Sequence, residues 1–206
     1  MNYLSPFFFG LFVTAFGTFL PGLVNMTAVK VSLSRSFKAG MRYAFGAGLT
    51  IFFQAYIAVT FAEQLGANPQ IILWLKRVAV FVFLALSGIF LYQGLFLKVP
   101  KVKTGRGLPI LLGMFTASMN VLNIPYCFAA GLLLQSRGHI SLELPYRLYF
   151  VSGAMTGAFL MLAAYARFAQ AIASHAQFFT RNLNYFLSGL FLVLAGIQLF
   201  QLYYPS

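Results

Sequence analysis

Acidic side chains are nearly absent from this chain, which has two of them among 206 residues, against fourteen lysines and arginines. Cysteine occurs once, at Cys127, so no intramolecular disulfide can form. Charges of either sign are missing from six long windows, which contain 29, 20, 20, 30, 19 and 25 residues. The residues outside these windows are too few to form a separate soluble domain, which excludes activities that need one.

The six charge-free windows cover residues 1–29, 43–62, 78–97, 107–136, 148–166 and 182–206. A helix needs ~20 mostly apolar residues to cross a hydrocarbon layer of ~30 Å. Each window is long enough, so we predict six transmembrane helices. The first window has no basic residues ahead of its apolar run, and we therefore expect a retained helix there rather than a cleaved signal peptide.

The basic residues are distributed unevenly between the predicted loops. A net charge of +12 would suggest nucleic-acid binding in a soluble protein, but here the charges flank apolar windows, and we expect no nucleic-acid partner. Ten lysines and arginines fall in odd-numbered loops and four in even-numbered loops, which also contain both acids, Glu63 and Glu143. The odd-numbered loops are therefore predicted to be cytoplasmic, with both termini on the opposite side.

The two halves of the chain resemble each other, which predicts an internal repeat. Three segments match in the same order: 86–93 with 194–201 at an offset of 108, 42–48 with 147–153 at 105, and Pro21 with Pro125 at 104. Each half contains three windows, an odd number, so the second half enters the membrane from the opposite side. Inverted repeats of this kind are typical of transporters, in which the solute path lies where the halves meet.

The two matched prolines predict helix breaks that expose backbone carbonyls to a polar solute. Amide side chains lie beside both prolines, and two further polar residues lie in the second window. The predicted path is therefore formed by Pro21, Gly22, Asn25, Thr50, Gln54, Asn120, Asn123 and Pro125. The alternative interpretation is a pair of kinked helices whose amides simply bond neighbouring helices.

Ionisable residues that carry out chemistry are missing from the windows, which contain no Asp, Glu or His. A buried carboxylate proton relay and a metal-ligand cluster are therefore not expected at mid-membrane. His139 and His175 are both predicted to lie in loops. Because no paired acids or Ser/His couple lies in a window, we expect neither an enzyme nor a cofactor or metal site.

Several short motifs resemble those of a known transporter family: Pro21-Gly22, Lys38-Ala39-Gly40, Leu75-Lys76 and Asn123-Ile124-Pro125. In order and spacing along the whole chain, they are similar to the motifs of the LysE/RhtB family of amino-acid exporters. The chain differs from that pattern at Leu23, where a second proline is usual, and at Tyr126, where lysine is usual. The resemblance implies a six-span protein of the cell inner membrane that exports an amino acid.

Together these observations predict an all-α membrane protein with one transmembrane domain, residues 1–206, formed by six transmembrane helices. The helices are expected to form two inverted three-helix repeats, residues 1–97 and 107–206. The expected function is export of an amino acid or similar small polar metabolite across the lipid bilayer by alternating access, and assembly into a homo-oligomer is left open. Two alternatives remain: a transporter of the same fold for another solute, such as a metal cation, and a non-transporting membrane scaffold subunit.

Overall fold

The computed structural model describes residues 4–20, 22–66, 107–120 and 122–203, with single positions between 77 and 95. These residues form helices and short connections, and none of them lies in a strand. The helices are α1 (Leu4–Phe19), α2 (Leu23–Ser34), α3 (Phe37–Gly66), α4 (Pro109–Ser118), α5 (Asn123–Ser136), α6 (Leu144–Arg167) and α7 (Ala169–Tyr203). The described positions between 77 and 95 are also helical. The predicted all-α class is confirmed.

Two of these helices are long and apolar enough to cross a membrane: Phe37–Gln64 within α3, and α6. Two further candidates are bent pairs, in which α1 meets α2 at 78° and α4 meets α5 at 68°. The described residues therefore contain two clear spans, or up to four if each bent pair counts as one. The window at 78–97 is described only at scattered positions, so six spans remain a prediction.

The helix boundaries correct the predicted loops at several charged positions. Arg147 and Glu63, both predicted to lie in loops, belong to α6 and α3. Lys30 lies within α2, which continues five residues past the end of the first window, and His175 lies within α7. These four helices extend beyond their apolar windows because a helix end can carry charged residues outside the hydrocarbon layer or pair them with one another.

The chain separates into two compact units. One contains Met1–Gln64 and Val102–Ser174, and the other contains Leu65–Lys101 and His175–Ser206. In the second unit, the Ser87 hydroxyl donates a hydrogen bond of 2.9 Å to the carbonyl of Ser188. The first unit contains all the predicted path residues.

The long helices α3 and α6 run antiparallel along each other in the first unit. At one end a Cβ on Gly40 would lie 2.8 Å from that of Ala166, and near the middle a Cβ on Gly48 would lie 3.5 Å from the Cγ of Met155. At the other end the side chain of Arg147 reaches the end of α3. As residue numbers rise along α3 they fall along α6, which is the arrangement that an inverted repeat requires.

Helix α1 packs directly on the backbone of α6. A Cβ on Gly10 would overlap the carbonyl oxygen of Phe150, and a Cβ on Gly153 would overlap that of Phe7. Glycine is required at both positions because the two backbones touch, and small residues allow this approach between apolar helices.

Helix α4 packs on α3 in the same way. A Cβ on Gly113 would overlap the carbonyl oxygen of Tyr43, and a Cβ on Gly46 would overlap that of Ile110. The two helix contacts correspond residue by residue, with an offset of 103 from α1 to α4 and 107 from α3 to α6. In each half, the first helix therefore packs on the long helix of the other half.

This correspondence sets a different register from the one predicted for the long helices. The predicted offset of 105 pairs Arg42 with Arg147, but Arg42 is exposed and Arg147 is buried. The offset of 107 pairs Tyr43 with Phe150, and both side chains are fully buried. A short apolar match places such a register only to within a few residues, because many apolar residues are interchangeable.

Candidate functional site

The break between α1 and α2 is held by side chains that bind its freed carbonyls. The last carbonyls of a helix have no partner within the helix. The Asn25 amide nitrogen donates hydrogen bonds to the carbonyls of Thr18 and Leu20, the latter at 2.9 Å. The Tyr165 hydroxyl, from α6, donates to the carbonyl of Phe19 at 2.6 Å. Three carbonyls at this break are therefore bound by side chains of the protein.

The break between α4 and α5 is held by a chain of amides. The Gln54 amide nitrogen donates a 3.1 Å hydrogen bond to the carbonyl of Ala117, near the end of α4. The Asn123 amide nitrogen in turn donates to the side-chain oxygen of Gln54 at 3.1 Å. Both amide side chains are buried, so three elements meet in one polar contact.

Two other predicted residues lie beside this amide chain. The Thr50 hydroxyl donates to the carbonyl of Met114 at 3.3 Å, which ties α3 to α4. Asn120 lies in the break itself, where its backbone N–H donates to the carbonyl of Ala117 at 3.0 Å. Its side chain is half-buried and makes no hydrogen bond with the part of the chain that the structure describes.

The remaining predicted path residues are peripheral or lie outside the structure. Pro21 is outside the described residues. Gly22 immediately precedes α2 and has an extended backbone (φ −127°); it is exposed, with open space around the position of a Cβ. Pro125 is the third residue of α5 and is exposed. A proline in the first helical turn loses no intrahelical bond, so it marks the start of α5 rather than supplying a carbonyl.

A second buried polar contact, which the sequence did not predict, joins α2, α3 and α4. The Tyr43 hydroxyl is fully buried, donates to the carbonyl of Val24 at 2.9 Å and contacts the hydroxyl of Thr116. A tyrosine within an apolar window was the available signal, because a buried phenol needs a hydrogen-bond partner.

A charged contact at the other end of α3 was also not predicted. Arg147 is buried and forms an ion pair with Glu63, while its guanidinium donates to the hydroxyl of Thr60 at 2.9 Å and the carbonyl of Leu142 at 3.1 Å. The ring centroid of Tyr56 lies 5.6 Å from the guanidinium carbon. Apart from this pair, the buried polar groups around the breaks are neutral amides, hydroxyls and carbonyls.

The residues around the breaks can exchange hydrogen bonds with a small polar molecule, but they offer no nucleophile paired with a base. No group of three potential metal ligands occurs among the described residues. Comparison with protein-family models, with curated proteins and with solved structures returned no match.

Proposed function

We propose that this protein is a six-span transporter of the cell inner membrane that exports an amino acid or similar small polar metabolite by alternating access. The observation that carries the proposal is the pair of helix breaks, at 78° and 68°, whose freed carbonyls meet buried amides. Irregular backbone at membrane depth is tolerated where protein buries it or where it lines a solute path. Broken helices at the interface of two repeats are the usual location of transporter sites.

The packing of glycines supports the inverted repeat on which this mechanism depends. Each half begins with a bent helix pair followed by a long helix. The first helix of each half packs on the long helix of the other half through equivalent glycines. The antiparallel contact of α3 with α6 is what two repeats of opposite topology would produce.

One hydrogen bond at the second break joins the two halves and is therefore a candidate for the contact that changes during transport. Gln54 belongs to α3 in the first half, and Asn123 belongs to α5 in the second. A motion that separates the halves breaks this bond and frees one donor and one acceptor. A polar solute that forms a hydrogen bond with the freed donor and another with the freed acceptor offsets the cost of leaving those two groups unpaired.

A non-transporting scaffold subunit is the second candidate, and one observation favours it. The amides of Asn25, Gln54 and Asn123 already have hydrogen-bond partners within the protein. In a scaffold these bonds only hold the bent helices, and removing one changes stability but no flux.

A metabolite screen separates these possibilities. We would compare the culture medium of cells that express the wild-type protein, Gln54→Leu, Gln170→Leu or no protein, at equal membrane abundance. Gln170 is the matched control because it is the same residue type but is exposed. We expect the wild type and Gln170→Leu to enrich the medium in one or a few amino acids, and Gln54→Leu to lose most of that enrichment.

Unchanged medium for every variant would contradict export and leave the scaffold interpretation. Selective movement of a metal cation, measured by elemental analysis of the same cells, would instead assign another solute to the same fold. Equal enrichment by Gln54→Leu and the wild type would remove the second break from the solute path.

A further inference from the structure

The two ends of the contact between α3 and α6 differ in their chemistry. At one end Arg147 of α6 pairs with Glu63 of α3. The offset of 107, which matches the glycines of these two helices, matches Arg147 with Gly40 and Glu63 with Gln170. Neither Gly40 nor Gln170 carries a charge, so the repeat has an ion pair at one end and neutral residues at the equivalent positions of the other.

Arg147 is bound from two sides, by its own half of the chain and by one face of α3. Its Nε and one terminal nitrogen donate to the carbonyl of Leu142, at 3.1 and 3.0 Å. On α3 it contacts the Thr60 hydroxyl, the Glu63 carboxylate and the Tyr56 ring. These three residues are spaced by four and three positions, so they lie on one face of the helix. If α3 moves away, the guanidinium loses this face but keeps its bonds to Leu142.

An apolar layer separates the ion pair from the second helix break. Along α3, Glu63 follows Gln54 by nine residues, which span about 13 Å in an α-helix. One buried apolar cluster joins this part of α3 to α5, α6 and the connection before α6: Ala55, Ala58, Val59, Ala62, Cys127, Leu142 and Phe150. A solute that moves from the second break toward this end must therefore part the apolar layer and the ion pair.

We propose that the Arg147–Glu63 pair is a gate, which joins the two halves at the end predicted to face outside and separates when that end opens to release solute. This inference rests on the proposed transport function. Glu63 is one-third exposed, so its carboxylate gains water when the pair separates, while Arg147 keeps the Leu142 carbonyl. Neither charge is then left without a partner, which is the main cost of breaking a buried ion pair.

The gate favours one of the two conformations that alternating access requires. An interaction present in only one of two states shifts the population toward that state. Because the equivalent positions at the opposite end are Gly40 and Gln170, the ion pair stabilises the conformation that is closed to the outside. Removing the charge of Glu63 should therefore increase the population that is open to the outside.

The native Cys127 thiol reports this opening without requiring transport. Cys127 is the one cysteine of the chain, is fully buried and belongs to the apolar layer beneath the gate. An impermeant thiol reagent is added to intact cells, where it reaches the outer face, and in parallel to inside-out membrane vesicles, where it reaches the cytoplasmic face. The modified fraction of the purified full-length protein is followed over time by intact mass.

The variants are Glu63→Gln, Thr60→Val and the matched control Glu143→Gln. Glu143 is the other acid of the chain and is exposed, so its variant makes the same chemical change away from the gate. Thr60→Val removes a neutral hydrogen bond between α3 and Arg147. It is the milder change and keeps the gate testable if Glu63→Gln does not reach the membrane.

We expect the wild type and Glu143→Gln to react slowly from both faces. Glu63→Gln should react roughly 5- to 30-fold faster from the outside, the change in population expected when one such interaction is lost from one of two states. Its reaction from the cytoplasmic face should be no faster than that of the wild type. Thr60→Val should show a smaller acceleration, also from the outside alone.

Equal outside rates for Glu63→Gln and Glu143→Gln would overturn the gate. Acceleration from the cytoplasmic face, alone or together with the outside, would also overturn it, because general loss of folding exposes Cys127 to either face. Acceleration from the outside alone, without export in the metabolite screen, would refute the transporter and keep the gate as a moving contact. Export by the wild type with no acceleration in Glu63→Gln would do the reverse, so the two proposals fail separately.

Discussion

Asn25 binds backbone carbonyls directly at the first helix break, whereas Asn123 at the second break binds the side chain of Gln54, which in turn binds the carbonyl of Ala117. The Asn25 nitrogen binds two carbonyls, whereas the Asn123 nitrogen binds one side-chain oxygen. Backbone carbonyls cannot move to find other partners, but the Gln54 side chain can rotate. The loss of Asn25 therefore leaves more polar surface unpaired than the loss of Asn123.

Asn25→Leu should lower the free energy of unfolding by roughly 2–4 kcal/mol, because the buried carbonyl of Thr18 and the part-buried carbonyl of Leu20 lose their donor. Asn123→Leu should cost about 1 kcal/mol, since it loses one hydrogen bond to Gln54 and a weak contact with the Cys127 thiol, and leucine suits an apolar environment. Thermal unfolding of the two purified variants in detergent measures the difference. A larger loss for Asn123→Leu would contradict the assignment of Asn25 as the cap of α1.

The ion pair at the end of α3 predicts a contrast between the two acids of the chain. Glu63→Gln leaves the buried guanidinium of Arg147 without its counter-charge and should lower stability by about 1–3 kcal/mol, less than for a fully buried pair because Glu63 is one-third exposed. Glu143→Gln is the control, since Glu143 is exposed and contacts Arg147 through its backbone carbonyl. Equal melting temperatures for the two variants would show that the pair contributes nothing.

Residue types were easier to predict from the sequence than their partners. Asn25, Gln54 and Asn123 stand out because amides are costly in apolar helices, and the structure places all three beside the breaks. The pairing of Arg147 with Glu63 was not predictable, because the two residues are 84 positions apart and charged residues near span ends usually face water.

At the scale of helices, the molecule depends on backbone contact at glycines. Gly113→Ala and Gly153→Ala would each place a Cβ on a carbonyl oxygen of the neighbouring helix. Such overpacking typically costs about 1–3 kcal/mol, and here the obstacle is backbone, which moves least. We expect lower melting temperatures and reduced yield for both variants. Gly22→Ala is the control, because no atom lies within 4 Å of its Cβ position.

Unchanged melting temperatures for Gly113→Ala and Gly153→Ala would contradict the close approach of α1 to α6 and of α4 to α3. A loss in one variant alone would show that the two contacts are not equivalent.

The predicted windows located the long helices α3 and α6 because apolar length is a strong signal. The windows of 29 and 30 residues exceed the ~20 residues of one span, and the structure divides both into bent pairs.

For the molecule as a whole, the proposed transport mechanism depends on opposite insertion of the two halves. With Cys127 replaced by alanine, cysteines at Ser36 and Lys103 should be protected from an impermeant thiol reagent in intact cells, because the odd-numbered loops carry most of the basic residues. A cysteine at Arg137 should react. We choose Arg137 over its neighbour Gly138, because the backbone φ of 71° at Gly138 disfavours any side chain there. The reverse labelling pattern would place the odd-numbered loops outside the cell and contradict the predicted orientation.

The most direct test of amino-acid transport is efflux of radiolabelled amino acids from proteoliposomes that contain the purified protein. We expect the wild type and Gln170→Leu to release at least one amino acid faster than empty liposomes do. Asn123→Leu should reduce that rate at least tenfold while it remains folded and inserted, because it removes the hydrogen bond that joins the two halves at the second break. Release by Asn123→Leu at the wild-type rate, or no release by the wild type for any amino acid, would contradict the proposed transport mechanism.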